Sequence, residues 1–549
     1  MATAMPTPPT LAAMLDDVAA RTPDAPALVE RSGGRTRALT YRELQDASVR
    51  TAAELAALGT RRDDVVGVWL PNQLEAVVVE LALASLGAAN MGINTRYGAH
   101  ELGHLLATGR PVGLVVPGDF LGLDFAGRLR DAIATATAAA PDLAPPWVTV
   151  AGDRAAGLGD LDVGGGVWRL GEGGDLAPAV RTGQPGDLLN YFTTSGSTGV
   201  PKLAGHDQVS VVEHARNIAT VLEMGPGDVV LGVLPLSGVF GFNPAMAMLS
   251  AGGSCLLMPA FHADAAVADM AAFGVTHVIG GDDMFSRLMH AWEKSRVPLP
   301  AFRRGGASDY SGSAATVMEW AERELGATVS GLYGSSELYA LTAIWPADLP
   351  LEERQIGGGV PISKAIVVRV VDPESGAARD PTEVGELQFR GYNVLREYLG
   401  NEQATREAFT SDGWFRSGDL GFLTGDGSAF VYVCRAGDAL RLRGFLVEPA
   451  EIEHFLMSHP VVDVAKVVGV RPGGKAEQAV AYVTLREGET ADSEQLLAYC
   501  RSELAGFKVP SIVNVIPELP VTTGPNGTKI RAAELRRWAE RQLLEVADA

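Results

Sequence analysis

Short apolar runs alternate with longer amphipathic segments along most of this chain. Residues 65–70, 113–117 and 254–258 are apolar runs with the length of buried strands. Helical patterns separate them, such as the alanine-rich segment that ends near Ala140. Strands and helices that alternate in this way predict an α/β fold with largely parallel sheets.

The most apolar stretch covers residues 77–93 and contains Glu80 together with several small residues. It predicts a buried helix followed by a strand, and not a membrane span. The first twenty residues have neither a basic start nor a long apolar run. They predict a short tail that leads into a helix, not a signal peptide.

A chain of 549 residues is too long for one hydrophobic core, so at least two domains are expected. Residues 151–187 are rich in glycine and aspartate and predict loops and short strands, whereas residues 365–399 predict a β subdomain. A new unit of strands and helices begins after Arg435. We therefore predict an N-terminal domain of residues 1–437 and a small α+β C-terminal domain of residues 438–549.

The charge balance narrows the possible partners. The chain has 45 basic and 66 acidic residues, a net charge of −21, which disfavours nucleic acid and anionic membranes as general partners. Bound phosphate would need a local site made of backbone N–H groups, a lysine or a metal ion. Three widely separated cysteines fit no metal or disulfide spacing, which favours a reducing cytoplasm.

The strongest local motif is a loop rich in hydroxyl groups and glycine that follows an apolar strand. Glycine permits close backbone approach, so that successive N–H groups can surround phosphate oxygens, and a lysine adds positive charge. The spacing differs from that of the Walker A loop. The candidate phosphate-binding residues are Thr194, Ser195, Gly196, Ser197, Thr198, Gly199 and Lys202.

This loop resembles the phosphate loop of the adenylate-forming superfamily, which includes acyl-CoA synthetases, nonribosomal-peptide adenylation domains and firefly luciferase. Within that superfamily, the motifs of this chain most resemble those of bacterial fatty-acyl or aryl-CoA ligases. The resemblance implies a large N-terminal domain with two stacked, mostly parallel sheets plus a β subdomain, and a small mobile C-terminal domain. Further matching segments occur in order at residues 39–44, 81–97, 331–337, 385–391, 413–421, 434–438, 443–453 and 526–536.

The resemblance implies roles for the motif at residues 333–337. Tyr333 would lie against adenine, with Gly334 beside it, and Ser336 would offer its hydroxyl to the α-phosphate in place of the usual threonine. Glu337 would hold Mg²⁺, which prefers hard oxygen ligands.

The remaining nucleotide contacts are also implied by the resemblance. Asp419 would accept both ribose hydroxyls, since an ionised carboxylate is acceptor-only, and Arg435 would lie near ribose and phosphate. Gly306, Ala307 and Ser308 would belong to a loop that covers adenine and borders the acyl pocket.

The resemblance implies roles in the two-step reaction for three positions of the predicted C-terminal domain. Lys529 would stabilise the charge that develops at the α-phosphate during adenylation. Asp438 would be the hinge about which the C-terminal domain swings, and Gly444 would line the tunnel used in the thiolation step.

The acyl pocket is expected around Ser237, Gly238, Phe240, Gly331 and Tyr339. Amino-acid-activating relatives carry an aspartate in the segment aligned to residues 235–240, and no acid occurs there, which disfavours α-amino acids. The small residues at 237 and 238 replace an aromatic–histidine pair of many acyl-CoA relatives.

Three polar residues near this pocket have open roles. Asp282 is a candidate for contacting a hydroxyl or amine on the substrate, with a solvated loop position or a helix cap as the alternative. His206 and His214 are expected to be structural.

The expected reaction uses ATP, Mg²⁺ and CoA as well as a small-molecule acid. The acid becomes an acyl-AMP with release of pyrophosphate, and CoA then displaces AMP. Three alternatives stay open: loading of a carrier protein, adenylation of nitrite by a diazotase that serves an aryl amine, and a catalytically silent nucleotide-binding scaffold. A homodimer is a further open possibility.

Overall fold

The computed structural model describes residues 10–151, 167–168, 177–194, 201–310, 312–436, 440–442, 445–447, 449–471, 477–504, 506, 508–524 and 527–548. The predicted domain boundary at residues 437 and 438 lies outside these ranges. Cys255, Cys434 and Cys500 all lie within the described ranges, are buried, and form no disulfide with one another.

The elements follow the alternation that the apolar pattern predicts. Up to residue 194 they are α1 (Leu11–Arg21), β1 (Pro26–Ser32), β2 (Arg35–Thr40), α2 (Tyr41–Ala57), β3 (Val65–Val68), α3 (Leu74–Leu86), β4 (Ala89–Gly92), α4 (Ala99–Gly109), β5 (Gly113–Pro117), α5 (Phe125–Ala139), β6 (Trp147–Ala151), β7 (Val167–Trp168) and β8 (Leu188–Thr194).

The middle of the chain changes from alternating helices and strands to mostly strands. Its elements are β9 (Lys202–Asp207), α6 (Gln208–Val221), β10 (Val229–Gly232), α7 (Val239–Ser250), β11 (Ser254–Leu257), α8 (Ala263–Phe273), β12 (His277–Gly281), α9 (Asp282–Ser295), β13 (Arg304–Ser308), α10 (Ala314–Leu325), β14 (Thr328–Tyr333), β15 (Ala343–Ile344), α11 (Leu351–Arg354), β16 (Gly358–Pro361), β17 (Val367–Val371), β18 (Gly385–Arg390), β19 (Glu397–Tyr398), α12 (Glu402–Glu407), β20 (Phe415–Leu423) and β21 (Phe430–Arg435).

The C-terminal part forms its own small sheet and helices. Its elements are β22 (Leu440–Leu442), β23 (Phe445–Val447), α13 (Pro449–Met457), β24 (Val462–Val470), β25 (Gln478–Leu485), α14 (Ser493–Glu503), β26 (Ile512–Val515), β27 (Val521–Gly524), β28 (Gly527–Ile530) and α15 (Ala532–Asp548).

One large sheet has thirteen strands in the order β17-β18-β20-β21-β16-β15-β14-β13-β12-β10-β11-β1-β2. The pairs from β1 and β11 through β14 are parallel, and from β14 to β17 the pairs are antiparallel. The predicted β-rich region is present, and hydrogen bonds join it to the parallel sheet. Tyr333 ends the strand at which the two parts meet.

A second sheet has eight strands in the order β19-β9-β8-β4-β3-β5-β6-β7. Its pairs are parallel from β8 to β7, and β8 and β9 form an antiparallel hairpin. The short strand β19 pairs with β9, which brings residues 397–398 next to that hairpin. The α/β class is therefore confirmed. The eight-stranded sheet is mostly parallel, as expected, whereas the thirteen-stranded sheet is mixed, because the β-rich region extends it with antiparallel strands.

Helices α3 and α7 are buried at every residue. A helix that is apolar all round belongs inside a core, and both share one hydrophobic cluster with residues of the two large sheets. The predicted helix and strand at residues 77–93 are therefore α3 and β4. Within the part of the chain that the structure describes, no helix is long and apolar enough to cross a membrane.

The turn before α3 is tied to the loop before α7 by one buried amide. Asn72 Nδ2 donates to the carbonyl oxygens of Gly232 at 3.0 Å and Leu234 at 2.8 Å. The backbone N–H of Leu236 donates to Asn72 Oδ1 at 2.9 Å. Asn72 thus positions the loop that carries the predicted acyl-pocket residues.

We expect Asn72→Ala to lower the free energy of unfolding by about 2–4 kcal/mol, because three hydrogen bonds are lost and two carbonyls and one N–H stay buried. The shift of the urea midpoint measures this loss. Gln73→Ala is the matched control, since Gln73 makes no side-chain cap to α3. Equal midpoints for the two variants would contradict the assignment.

Candidate active site

Strands β20 and β21 bring a carboxylate and a guanidinium together next to Tyr333, the last residue of β14. Asp419 and Arg435 are register partners, and Arg435 Nη1 lies 3.0 Å from Asp419 Oδ1. Tyr333 Oη donates to the other oxygen, Asp419 Oδ2, at 2.5 Å. Three residues singled out in the sequence for nucleotide binding thus meet in one cluster.

The packing of this cluster fixes the orientation of the tyrosine. The Tyr333 ring stacks on Phe389, with centroids 5.6 Å apart and an interplanar angle of 12°, and Phe430 meets it edge-on at 5.1 Å. Burial raises the pKa of the Asp419 carboxyl, and the charge of Arg435 opposes that shift. A buried carboxylate with a neighbouring cation suits the recognition of a neutral diol.

The turn that carries Ser336 and Glu337 is held by two buried histidines. His206 Nε2 donates to the carbonyl oxygen of Ser336 at 2.8 Å, and His214 Nε2 donates to that of Ala340 at 2.9 Å. Burial lowers the pKa of His206 to about 4 and that of His214 to about 3, so both stay neutral. Their contacts agree with the structural role expected for them.

The same turn has an unusual backbone. Tyr339, Ala340 and Leu341 have positive φ angles of 61°, 47° and 34°. Such angles are uncommon for residues other than glycine and persist only where the surroundings enforce them. Ser336 Oγ anchors the start of the turn by donating to the carbonyl oxygen of Thr193 at 3.4 Å.

Tyr398 connects the Glu337 carboxylate to a lysine of the phosphate loop. Tyr398 Oη donates to Glu337 Oε1 at 3.1 Å, and Lys202 Nζ lies 4.8 Å from the centroid of the Tyr398 ring. Tyr398 is brought there by the pairing of β19 with β9. No motif in the sequence points to Tyr398, because its neighbours in the site lie far away along the chain.

The phosphate-loop candidates are only partly described. Thr194 and Lys202 face each other as the last register pair of the β8–β9 hairpin. The candidates Ser195, Gly196, Ser197, Thr198 and Gly199 lie outside the described residues.

The segment predicted as the adenine-covering loop is instead a strand. Gly306 and Ala307 belong to β13, where they pair with β12 and β14 in the parallel sheet, and Ser308 is its last residue. A Cβ on Gly306 would lie only 2.7 Å from Leu332 Cδ2. Small residues are required there for close strand packing, which explains a pattern that reads as a loop.

Two glycines allow close backbone contacts around β14. A Cβ on Gly331 would lie 2.6 Å from the carbonyl oxygen of Ile356, and one on Gly334 would lie 2.7 Å from the Ala340 backbone. Gly334 therefore permits the tight turn that carries Glu337. The role of Gly331 in the acyl pocket stays a prediction.

Helix α7 separates the predicted acyl-pocket residues into two groups. Ser237 lines a cavity that faces α3 and β4, whereas Phe240 lines another that faces β10 and β12. Gly238 is the N-cap of α7. Tyr339 lies apart from both, with its ring 4.5 Å from that of His206.

Asp282 is fully buried and serves the segment that follows β13. Its carboxylate accepts the backbone N–H groups of Tyr310 at 3.0 Å and Ser313 at 2.9 Å, as well as the Ser313 hydroxyl at 2.9 Å. These contacts favour the capping alternative over a substrate contact.

The C-terminal candidates are the least defined. Lys529 lies on β28 opposite Thr522, and its side chain is outside the described residues, as are Asp438 and Gly444. Strand β28 lies against α9 of the N-terminal part. The backbone of residue 529 is therefore held next to the helix that starts at Asp282.

A magnesium site in this region would be built from few protein ligands. Over the described ranges, no group of three or more histidine, cysteine, aspartate or glutamate residues could hold a metal ion. Mg²⁺ is commonly bound through one or two carboxylates together with substrate phosphates and water. Glu337, oriented by Tyr398, fits that mode of binding.

Comparisons with known proteins agree with this geometry. The family model for the AMP-binding enzyme matches residues 15–399, and the model for the AMP-binding enzyme C-terminal domain matches residues 451–524. The sulfoacetate–CoA ligase of Cupriavidus necator is 31% identical, over 96% of this chain and 98% of that protein. The mitochondrial medium-chain acyl-CoA ligase ACSF2 of Mus musculus is 28% identical, over 97% of this chain and 88% of that protein.

A solved structure shares the whole architecture. ATP-bound MatB from Rhodopseudomonas palustris superimposes with a TM-score of 0.81 at 25% identity and covers 97% of this chain and 99% of that one. The predicted family, the fold class and the AMP-forming activity are thereby confirmed. The chain belongs to the AMP-binding enzyme family and is an AMP-forming ligase.

Proposed function

We propose that this ligase activates a carboxylic acid as its acyl-AMP at the site around Glu337 and transfers the acyl group to CoA. A carboxylate oxygen of the acid attacks the α-phosphorus of ATP, and pyrophosphate leaves. The CoA thiolate then attacks the acyl carbonyl carbon, and AMP leaves. CoA is supported as the acceptor by the names of the two relatives, both CoA ligases.

The observation that supports this proposal best is that Tyr398 contacts both the carboxylate of Glu337 and Lys202, which lies at the end of the β8–β9 hairpin. Glu337 accepts its hydroxyl, and Lys202 lies over its ring. An anionic group and a cationic group this close suit a metal–triphosphate complex, which carries both signs of charge.

The nucleoside end would lie at the Asp419 cluster. Asp419 would accept the ribose hydroxyls, Arg435 would face ribose and phosphate, and the ring of Tyr333 would contact adenine. The order of the elements supports this division, because Tyr333 ends β14 just before the turn to Glu337. The adenine contacts of residues 306–308 belong to the same proposal.

Charge compensation at the reacting phosphorus would come from Lys529 and from magnesium. Bound Mg²⁺ supplies positive charge against the triphosphate and would be held by Glu337. Lys529 would stabilise the negative charge that develops in the transition state, and Ser336 would donate to the α-phosphate. The position of β28 against α9 supports a role for Lys529 on this side of the molecule.

The second step would need a domain rearrangement. We propose residues 1–437 and 438–549 as the two domains, with Asp438 as the hinge and Gly444 in the thiolation tunnel. A carrier protein as the acceptor, a homodimer and a cytoplasmic location stay predictions.

The direct test is pyrophosphate release from ATP with a panel of fatty and aryl acids, with and without CoA. Acid-dependent release together with CoA-dependent thioester formation is the expected result. Turnover only with nitrite and an aryl amine would replace this proposal with the diazotase reaction. Thioester formation only on a carrier protein would identify that protein, and not CoA, as the acyl acceptor. No pyrophosphate release in any mixture would favour the catalytically silent scaffold.

We expect Lys529→Ala to reduce acyl-AMP formation by about 10²–10³-fold or more, because a charge that stabilises the transition state is removed. Thiolysis of a preformed adenylate should be largely spared. Stopped-flow measurement of each half-reaction separates the two effects. Lys364→Ala, at an exposed position, is the control, and an equal loss in both half-reactions would refute the two-conformation model.

We expect Tyr398→Phe to raise the Mg²⁺ concentration for half-maximal activity by about 10-fold, because the carboxylate of Glu337 loses the hydroxyl that orients it. The ring that faces Lys202 is kept. Tyr191→Phe is the matched control, because it removes a similar hydrogen bond nearby. The Tyr191 hydroxyl donates at 3.0 Å to Glu397, the residue that precedes Tyr398. An unchanged Mg²⁺ titration in Tyr398→Phe would argue against this role.

A further inference from the structure

A small cavity with a buried carboxylate lies between helices α3 and α7. It has a volume of about 20 Å³ and is lined by Glu80, Asn90 and Ser237 together with apolar side chains such as Phe242. That volume exceeds what one water molecule needs, about 10–15 Å³, but it is too small for a ring. Only a single small polar group can enter.

The carboxylate is held by a pair of asparagines on neighbouring strands. Asn90 and Asn190 are register partners on β4 and β8, so their side chains share one face of the sheet. Their Nδ2 atoms donate to Glu80 at 2.5 Å and 2.9 Å, one to each carboxylate oxygen. Each oxygen keeps a lone pair for a further donor.

Acceptors without a donor occur on two of the residues that line the cavity, Asn90 and Ser237, and on the neighbouring Asn190. Asn90 Oδ1, Asn190 Oδ1 and Ser237 Oγ are all buried and have no hydrogen-bond partner among the residues that the structure describes. Turning the amides round would place two carbonyl oxygens against a carboxylate. Their present orientation therefore leaves oxygens to be satisfied by a donor from outside the fold.

The charge of Glu80 is also uncompensated. Burial raises its pKa to about 7, the two asparagines oppose that shift, and no basic side chain contributes to it. The other buried acid of the same helix is paired with a cation: Glu75 lies 2.6 Å from Arg37. A buried carboxylate without a cation is costly unless a bound group supplies the missing charge or donor.

A short chain of contacts links the cavity to the candidate active site. Phe242 packs on Phe192 with ring centroids 5.5 Å apart, and the next residue, Thr193, accepts the Ser336 hydroxyl. Burial, and then the charge of Glu80, raise the pKa of Tyr339, which lies two residues beyond Glu337. The hydroxyl of Tyr339 is buried and has no partner within the described ranges.

We propose that the Glu80 cavity binds an amino group that the substrate acid carries at a distance from its carboxylate. An ammonium group has three N–H donors, and the cavity offers three acceptors in Glu80, Asn90 and Ser237. The inference rests on the proposed acid activation and narrows its substrate to amino-substituted acids. Under this proposal Glu80, which no sequence motif singles out, recognises the amine in place of Asp282.

The test compares acids that differ only at the remote end. The pairs are 4-(aminomethyl)benzoate with 4-ethylbenzoate and 6-aminohexanoate with heptanoate, whose amines are alkylammonium groups, assayed by pyrophosphate release. For at least one pair, the kcat/KM of wild-type enzyme should be higher with the amino-substituted acid than with its methyl counterpart. In Glu80→Gln that preference should fall by about 10- to 100-fold, the effect of a hydrogen bond to a charged group.

Glu75→Gln is the matched control, because it changes a buried carboxylate on the same helix that is paired with Arg37 and does not line the cavity. Its preference between the paired acids should equal that of wild type. A folded Glu80→Gln variant with an unchanged preference would overturn the proposal and leave a water-filled structural cavity. Wild-type preference for the methyl acid in both pairs would do so as well.

Failure of the inference is distinct from failure of the proposed function. Turnover of methyl acids alone refutes the amino-group site only, whereas no acid-dependent pyrophosphate release refutes acid activation itself. Ser237→Val provides a second variant if Glu80→Gln does not fold, since added methyl groups would fill the cavity and should lower the same preference. Calorimetric binding of the preferred amino-substituted acid to wild type and to the folded Glu80→Gln or Ser237→Val variant gives a readout without turnover, and equal affinities would overturn the proposal.

Discussion

Burial of two helices between two large sheets is the constraint on which the rest of this molecule depends. Every residue of α3 and α7 is buried, so any polar group on them must find a partner inside the protein. Asn72 meets this demand by binding the loop that precedes α7. The same demand makes the unpaired carboxylate of Glu80 informative, because a buried charge without a cation is rarely kept.

The candidate active site is assembled where the two sheets approach each other. The first sheet supplies Tyr333 and the turn to Glu337, and the second supplies the hairpin that ends at Thr194 and Lys202. The contact between them is made through His206 and Ser336 on one side and through Tyr398 and Glu337 on the other. Candidate catalytic groups on different sheets are thus positioned by buried hydrogen bonds and not by one continuous motif.

Some predictions from the sequence were sound and others reveal its limits. The parallel α/β order, the buried helix and strand at residues 77–93 and the grouping of Tyr333 with Asp419 and Arg435 are all present. The glycine-rich segment at residues 306–308 is a central strand, because small residues serve close strand packing as well as loops. The roles assigned to Lys529, Asp438 and the phosphate loop stay predictions.

The sequence by itself determined the fold class and the family, since apolar periodicity and ordered motifs are local properties of the chain. Only the tertiary structure decided which acids face which cavity. The carboxylate of Asp282 accepts from the backbone that follows β13. The carboxylate of Glu80 accepts from Asn90 and Asn190, and Glu80 lines one cavity together with Ser237. Pairing between distant strands sets these contacts, and an acidic residue inside an apolar helix carries no local sign of the partners that folding brings to it.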